Sequence, residues 1–141
     1  MEAKEKQTAA EATAWETFEA AVLAVPRDQL EQPMLADGWS VKDVLAHITR
    51  WWEDCATTLE SFHGTYVEWD GDTDAENEKV RAESQATSME DIEVRSAHVR
   101  ERMLRAWDGA PVEDPRAGEA FYTETTEHYE EHLAQVRSIS G

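Results

Sequence analysis

The chain has 141 residues and carries 31 acidic side chains against 13 basic ones, so its formal net charge at neutral pH is −18. A surface this acidic repels nucleic-acid phosphates and anionic lipid headgroups, which excludes a general DNA or RNA binder and disfavours a membrane-surface protein. The length predicts one domain over residues 1–141, and a hydrophobic fraction of 40% with six tryptophans is enough to build a packed core.

Compartment and redox chemistry are constrained by what the sequence contains. Cys55 is the single cysteine, so no intrachain disulfide can form. It falls within the apolar stripe of a predicted helix, which favours a buried structural role over a reactive thiol. The charged segment 1–6 lacks the apolar region of a signal peptide, and no apolar run is long enough to cross a membrane. We therefore predict a cytoplasmic protein.

The first half of the chain predicts two long helices. Residues 4–25 contain no glycine or proline and place apolar side chains at steps of three and four, and Pro26 ends this helix. Residues 26–39 form a connector with two prolines and a glycine. Ser40 is a natural N-cap, and the helix that it opens runs to about Phe62.

The second half predicts a short helix and two further long ones. The short helix covers about 74–84 and is polar, and a long helix follows from the cap Ser88 to about 108. The last helix runs over about 119–138. Its predicted inward-facing residues are Phe121, Tyr122, Tyr129, Leu133 and Val136.

Four amphipathic helices of about twenty residues, with no convincing strand pattern, predict an all-α fold. Each buries one apolar face, and the standard solution is a four-helix bundle. The connection over 64–87 is long enough to cross the bundle from end to end, so we expect one long crossover.

Three of the five histidines fall where a metal ion could be bound. His128 and His132 are four residues apart and lie at the edge of the core-facing arc of the last helix, and His47 lies at the corresponding edge of the second. Three nitrogen ligands leave an open coordination position, the catalytic pattern. His63 and His98 fall outside this arrangement. The alternative is a solvent-exposed pair, with His47 hydrogen-bonded to a carbonyl.

Residues around the histidines could complete a site. Glu124 and Glu131 lie on the His128 side of the last helix, where a carboxylate could orient an imidazole or act as a base. Trp39, Trp51 and Tyr129 could wall an apolar pocket. The alternatives are a solvated acidic face for the glutamates and plain core packing for the aromatics.

Two segments carry a resemblance to a known family. The segment 38–48, Gly-Trp-Ser-Val-Lys-Asp-Val-Leu-Ala-His-Ile, followed by Trp51, resembles the second-helix entry of the DinB-like superfamily. The segment 127–133 is similar to the last helix of that superfamily. Within the superfamily, the match is closest to the ClbS/DfsB branch, and the stretch from 74 to Trp107 resembles the third-helix region of that branch.

The resemblance implies a fold, a metal and a class of reaction. The implied fold is a DinB-like four-helix bundle with up-down-down-up topology, often dimeric. The implied metal is zinc or nickel, held by a histidine triad at His47, His128 and His132. Relatives include thiol-dependent isomerases and transferases, and the ClbS branch includes proteins that inactivate a reactive natural product.

The leading hypothesis is a metal-dependent enzyme acting on a small electrophile, by thiol transfer or by hydrolysis, in detoxification or self-protection. Bound metal could generate hydroxide from water or a thiolate from a low-molecular-weight thiol. The alternatives are a metal-free bundle that sequesters a small molecule and a structural protein that forms a homodimer. The sequence lacks a phosphate-binding glycine loop, a nucleophile elbow and a Cys-x-x-Cys pair, which argues against nucleotide enzymes, α/β serine hydrolases and dithiol redox proteins.

Overall fold

The computed structural model describes residues 2–140, and this range is helical with no strand. None of its helices is both long and apolar enough to cross a membrane. A short 3₁₀ turn, Arg27–Gln29, lies between the first two helices. The helices are α1 (Glu2–Leu23), α2 (Val41–Ser61), α3 (Thr73–Gln85), α4 (Met89–Asp108), α5 (Pro115–Glu124) and α6 (Thr126–Ser140).

The start of α2 is set by a complete capping box. The Ser40 side chain accepts a hydrogen bond from the backbone N–H of Asp43, and the Asp43 carboxylate accepts one from the backbone N–H of Ser40, each 3.0 Å long. Both free donors are thus satisfied where the chain enters the protein interior, since both residues are buried. This cap fixes the start of the helix that carries His47.

Helix α2 is the centre of the packing. It contacts α3, α4, α5 and α6, while α1 lies against α6 and α5. The α2 side chains that face inward are almost fully buried and fill the core with residues from α1, α4, α5 and α6. The largest buried apolar side chains are Trp52, Trp107, Phe18, Phe121, Ile48, Leu59 and Met103.

A buried polar network joins helices α1, α2, α4 and α6. Arg100 on α4 donates two hydrogen bonds, of 2.7 and 3.0 Å, to the carboxylate of Glu11 on α1, which is only 1% exposed. The same carboxylate accepts the Tyr129 hydroxyl from α6, and that hydroxyl accepts the indole N–H of Trp52 on α2. Each buried polar atom of this chain of contacts has a partner, as an interior network requires.

The predicted helices are confirmed over most of the chain, but the last one differs. The prediction of one continuous helix over 119–138 was wrong: helix begins earlier, at Pro115, and is interrupted at Thr125. Asp114 caps α5 with Pro115 in its first turn. Thr125 is fully buried and leaves helical geometry, with φ −119° and ψ −96°, and its hydroxyl donates to the carbonyl of Phe121.

The interruption explains one further error. Tyr122 was expected to face inward, but its side chain is 45% exposed. The expectation assumed a constant 100° rotation per residue from α5 into α6, and the break at Thr125 changes that rotation. The other predicted inward residues of this region, Phe121, Tyr129, Leu133 and Val136, are buried or packed against the core.

Candidate metal centre

Three histidines from two helices meet at the edge of the core. His47 comes from α2, and His128 and His132 come from successive turns of α6; one ring nitrogen from each lies within 4.8 Å of the others. The Nε2 atoms of His47 and His128 are 2.9 Å apart. His47 and His128 are buried and His132 is half-buried. The structure therefore brings together the three histidines singled out from the sequence.

Two amide oxygens orient the imidazoles of His47 and His132. The Nδ1 of His47 lies 3.1 Å from Oδ1 of Asn77, and the Nδ1 of His132 lies 2.8 Å from Oε1 of Gln135. An amide oxygen can only accept, so each contact places the ring proton on Nδ1. In both rings the unprotonated nitrogen is then Nε2, the atom available as a ligand.

Burial keeps two of the three imidazoles, those of His47 and His128, uncharged. Loss of water around the ring lowers the pKa of His47 to about 4, helped by the nearby His132 and opposed by the contact with Asn77. The pKa of His128 falls to about 3, again chiefly through burial and then through His47 and His132. Neutral imidazole is the form that binds a metal, so these two rings are in the binding form at neutral pH.

One nitrogen of the cluster has no protein partner. Nδ1 of His128 is buried and makes no hydrogen bond with the residues that the structure describes. A buried polar atom without a partner is rare in a folded protein. It marks His128 as a residue whose polar contacts the protein alone does not complete.

The histidines line an open cleft of about 600 Å³ between α2, α3 and α6. Its walls include Trp39, Trp51 and Trp69, and the Trp39 and His47 rings meet edge to face at 5.6 Å. Trp39 is carried by a turn in which Gly38 has φ +82°, a conformation that favours glycine. The indole N–H of Trp51 donates to Oδ1 of Asn77 at 2.8 Å, so Asn77 holds a wall and a histidine together.

Several carboxylates line this cleft. Burial raises the pKa of Glu124 to about 8, with Asp54, Glu131 and Glu127 adding repulsion and Arg50 opposing it. Burial also raises the pKa of Asp54, again against the pull of Arg50. Glu124 is therefore largely protonated at neutral pH, a condition in which a carboxyl group can donate a proton.

The sequence-predicted site residues fall into two groups. Glu124, Glu131, Trp39 and Trp51 line the cleft together with the three histidines. Tyr129 does not: its ring packs in the core against Trp15, Phe18 and Trp52, and its hydroxyl belongs to the buried network. The cause is rotation about α6, since Tyr129 follows His128 and points about 100° away from it.

Cys55 and the two remaining histidines lie outside the cluster, as the sequence predicts. Cys55 is buried, and burial raises the pKa of its thiol, which keeps the thiol protonated and unreactive. His63 and His98 are both exposed and take no part in the cluster. Within residues 2–140, the side chains that hydrogen-bond to the imidazoles of His47 and His132 from outside the cluster are the amides of Asn77 and Gln135, in place of the predicted glutamates.

Asn77, Gln135 and Trp69 were missed as site residues. Gln135 follows His132 by three residues, so the helical spacing contained a usable signal. Asn77 and Trp69 belong to the connection between α2 and α4, where α3 is polar and gives no strong periodic pattern. Their position depends on how that connection folds across α2, which local sequence does not specify.

A comparison with protein families identifies one match. The family model described as mycothiol maleylpyruvate isomerase N-terminal domain matches residues 12–134, which include all three histidines. This family is a member of the DinB-like superfamily. No curated protein and no solved structure matches the chain significantly.

Proposed function

The chain belongs to the mycothiol maleylpyruvate isomerase N-terminal domain family, and from this premise we propose that it is a metal-dependent enzyme that joins a low-molecular-weight thiol to a small electrophile. The observation that carries the proposal is the cluster of His47, His128 and His132 in an open cleft. We propose a thiol as one reactant because the family is that of a mycothiol maleylpyruvate isomerase domain.

The donor set fits a divalent metal of the zinc or nickel type. Imidazole nitrogen is a ligand that both ions accept, and three protein ligands leave a position for substrate. Burial holds the rings of His47 and His128 neutral, and the Nδ1 atoms of His47 and His132 are engaged by Asn77 and Gln135. The unpartnered Nδ1 of His128 also indicates that this cluster is built for more than packing.

A bound divalent metal would supply Lewis acidity, which lowers the pKa of a thiol or of water. The residues of the chain supply the rest. His47, His128 and His132 would hold the ion, while Asn77 and Gln135 fix the ring orientations. In the metal-free protein Glu124 holds a proton at neutral pH, and we propose that it gives this proton to an oxygen of the electrophile.

Several finer features belong to the same proposal. We propose that α1, α2, α4 and the α5–α6 pair form a DinB-like bundle with up-down-down-up topology, crossed by the connection that contains α3. We also propose a cytoplasmic homodimer that acts in detoxification or self-protection. Closer kinship with the ClbS/DfsB branch stays a prediction.

The test is metal content measured by mass spectrometry on tag-free protein, beside His47→Ala and His128→Ala. We expect about one equivalent of zinc or nickel in the wild type, and loss of the metal with unchanged helix content in both variants. His98→Ala, an exposed histidine outside the cluster, is the matched control and should retain the metal.

Two results would count against the proposal. A wild-type protein that takes up neither zinc nor nickel would remove the enzyme mechanism and favour a bundle that sequesters a small molecule. A protein that binds metal and hydrolyses electrophilic esters without any thiol would retain the metal centre but replace thiol transfer by hydrolysis.

A further inference from the structure

The cleft beside the histidine cluster is lined by negatively charged side chains. Five carboxylates line it, and no lysine or arginine does so among the residues that the structure describes. These acidic residues come from the connector before α2 and from α2, α5 and α6, so no single helix accounts for them. They are Asp37, Asp54, Glu124, Glu127 and Glu131.

The two arginines that lie over the tryptophan walls are engaged within the protein. Arg50 donates to the carboxylate of Glu76 at 2.7 Å, and its guanidinium lies 5.2 Å from the ring centre of Trp51 and 5.3 Å from that of Trp69. Arg81 donates to the carbonyl of Gly38. Neither arginine is among the residues that line the cleft.

A metal ion would not reverse this charge. A divalent cation on the three histidines, with Glu124 protonated, would still leave the cleft with a net charge of about −2. A carboxylate or phosphate ligand would therefore enter against a repulsive field, whereas a cation would be drawn into it.

The aromatic walls favour the same class of ligand. Trp39, Trp51 and Trp69 surround the cleft, and tryptophan is the best of the aromatic side chains at holding a cation against its ring. Arg50 lies over Trp51 and Trp69, and Arg81 lies 5.7 Å from the ring centre of Trp39, so all three rings hold a cation within this protein. Carboxylates and indoles together form a typical receptor for an ammonium group.

We propose that the histidine cleft takes a small molecule that carries an ammonium group, and that it discriminates against carboxylates and phosphates. This inference rests on the proposed function, because it assigns the charge of the molecule that reaches the histidine cluster. It also separates this chain from an isomerase of maleylpyruvate, whose substrate is an anion.

The test compares three probes of similar shape: choline, its neutral isostere 3,3-dimethylbutan-1-ol, and the anion 3,3-dimethylbutanoate. Binding is followed by calorimetry and by the indole N–H signals in NMR spectra, on both metal-free and metal-loaded protein. We expect choline to bind about three- to thirtyfold more tightly than the neutral alcohol. On the metal-free protein, the anion should be the weakest binder of the three probes.

Variants then locate the preference. The double variant Asp54→Asn/Glu131→Gln should bring choline and the neutral alcohol to nearly equal affinity. Glu130→Gln removes one charge from the same helix, but from a residue that faces a groove beside α1, and it should change nothing. Far-UV circular dichroism checks that each variant keeps its helix content.

The inference would be overturned if the alcohol bound as tightly as choline or more tightly. It would also be overturned if the anion bound metal-free protein more tightly than choline, or if choline did not bind. A loss of choline preference in Glu130→Gln as large as in the double variant would also overturn it, because overall charge would then explain the effect. Failure of the protein to take up metal would overturn the proposed function alone, since the probes still report on the metal-free cleft.

Discussion

Asn77 shows how much a single amide can control at the residue scale. Its Oδ1 accepts from both the Trp51 indole and the Nδ1 of His47, so one atom sets a wall of the cleft and the tautomer of a proposed ligand. Partners of this kind commonly change metal affinity by 10- to 100-fold when they are removed. The orientation of His47 is therefore a property of α3 as well as of α2.

Replacing Asn77 tests that role. We expect Asn77→Leu to weaken zinc affinity by about 10- to 100-fold, measured by competition with a chelating dye, because His47 loses the acceptor that fixes its ring. Asn77→Asp keeps an oxygen in the same place and should retain most of the affinity. Unchanged affinity in the leucine variant would show that the amide does not orient the ligand.

Glu124 makes a separate prediction about pH. Its pKa is about 8 in the folded protein and near its ordinary value of 4.5 in the unfolded chain. Between these values the unfolded chain has released the proton that the folded protein still holds. The contribution of Glu124 to stability is therefore full below about pH 4.5 and is lost as the pH rises toward 8.

Glu124→Gln cannot ionise and should remove this dependence. On metal-free protein we expect the variant to gain about 1–3 kcal/mol of unfolding free energy relative to wild type at pH 9, with little difference at pH 4.5. Urea denaturation across this pH range measures it. Glu130→Gln, an exposed control on α6, should follow the wild-type curve, and a Glu124→Gln curve parallel to wild type would contradict the assignment.

At the scale of helices, the network of Glu11, Arg100, Tyr129 and Trp52 links α1, α4, α6 and α2. Breaking a buried ion pair leaves an uncompensated charge, which costs about 3–5 kcal/mol. Because the Glu11 carboxylate is almost fully buried, we expect Arg100→Met to lower the unfolding free energy by about this amount, measured in urea.

Arg105 provides the matched control on the same helix. Its pair with Glu101 is largely exposed, and exposed pairs contribute about 0–1 kcal/mol, so Arg105→Met should change little. The double variant Glu11→Leu/Arg100→Met should recover much of the loss, since it removes both buried charges. Equal losses for Arg100→Met and Arg105→Met would show that burial of the pair is not decisive.

The helices also show what the sequence could and could not predict. The periodic apolar positions and the caps Ser40 and Ser88 located α2 and α4 to within about one residue. The Asp114–Pro115 pair was a readable start signal for α5 that the apolar pattern concealed. The break at Thr125 had no such signal in the local sequence, since Thr125 is fully buried and burial depends on the tertiary fold.

The candidate site also contains residues that the sequence could predict and residues that it could not. Helical spacing placed His128 and His132 together, and arc position added His47, because those are properties of single helices. The amide of Asn77 and the wall formed by Trp69 depend on how the connection between α2 and α4 lies across α2. That arrangement is tertiary, and residues within a polar helix and a loop carry no periodic trace of it.

At the scale of the whole molecule, the net charge of −18 opposes folding through self-repulsion. Added salt and an added metal ion should stabilise the folded chain in different ways. Salt screens all charges, since the screening length falls from about 10 Å at 0.1 M to about 3 Å at 1 M. A metal ion at the histidine cluster acts at one site only and stabilises by mass action.

Thermal and urea unfolding should separate these effects. We expect sodium chloride to raise the melting temperature of wild type and of His128→Ala by similar amounts, because screening does not involve the cluster. Zinc at about 100 times its dissociation constant should add about 2.7 kcal/mol to the unfolding free energy of wild type and nothing to the variant. Equal stabilisation of both proteins by zinc would instead assign the effect to the acidic surface, since many exposed carboxylates can bind the ion weakly without any contribution from His128.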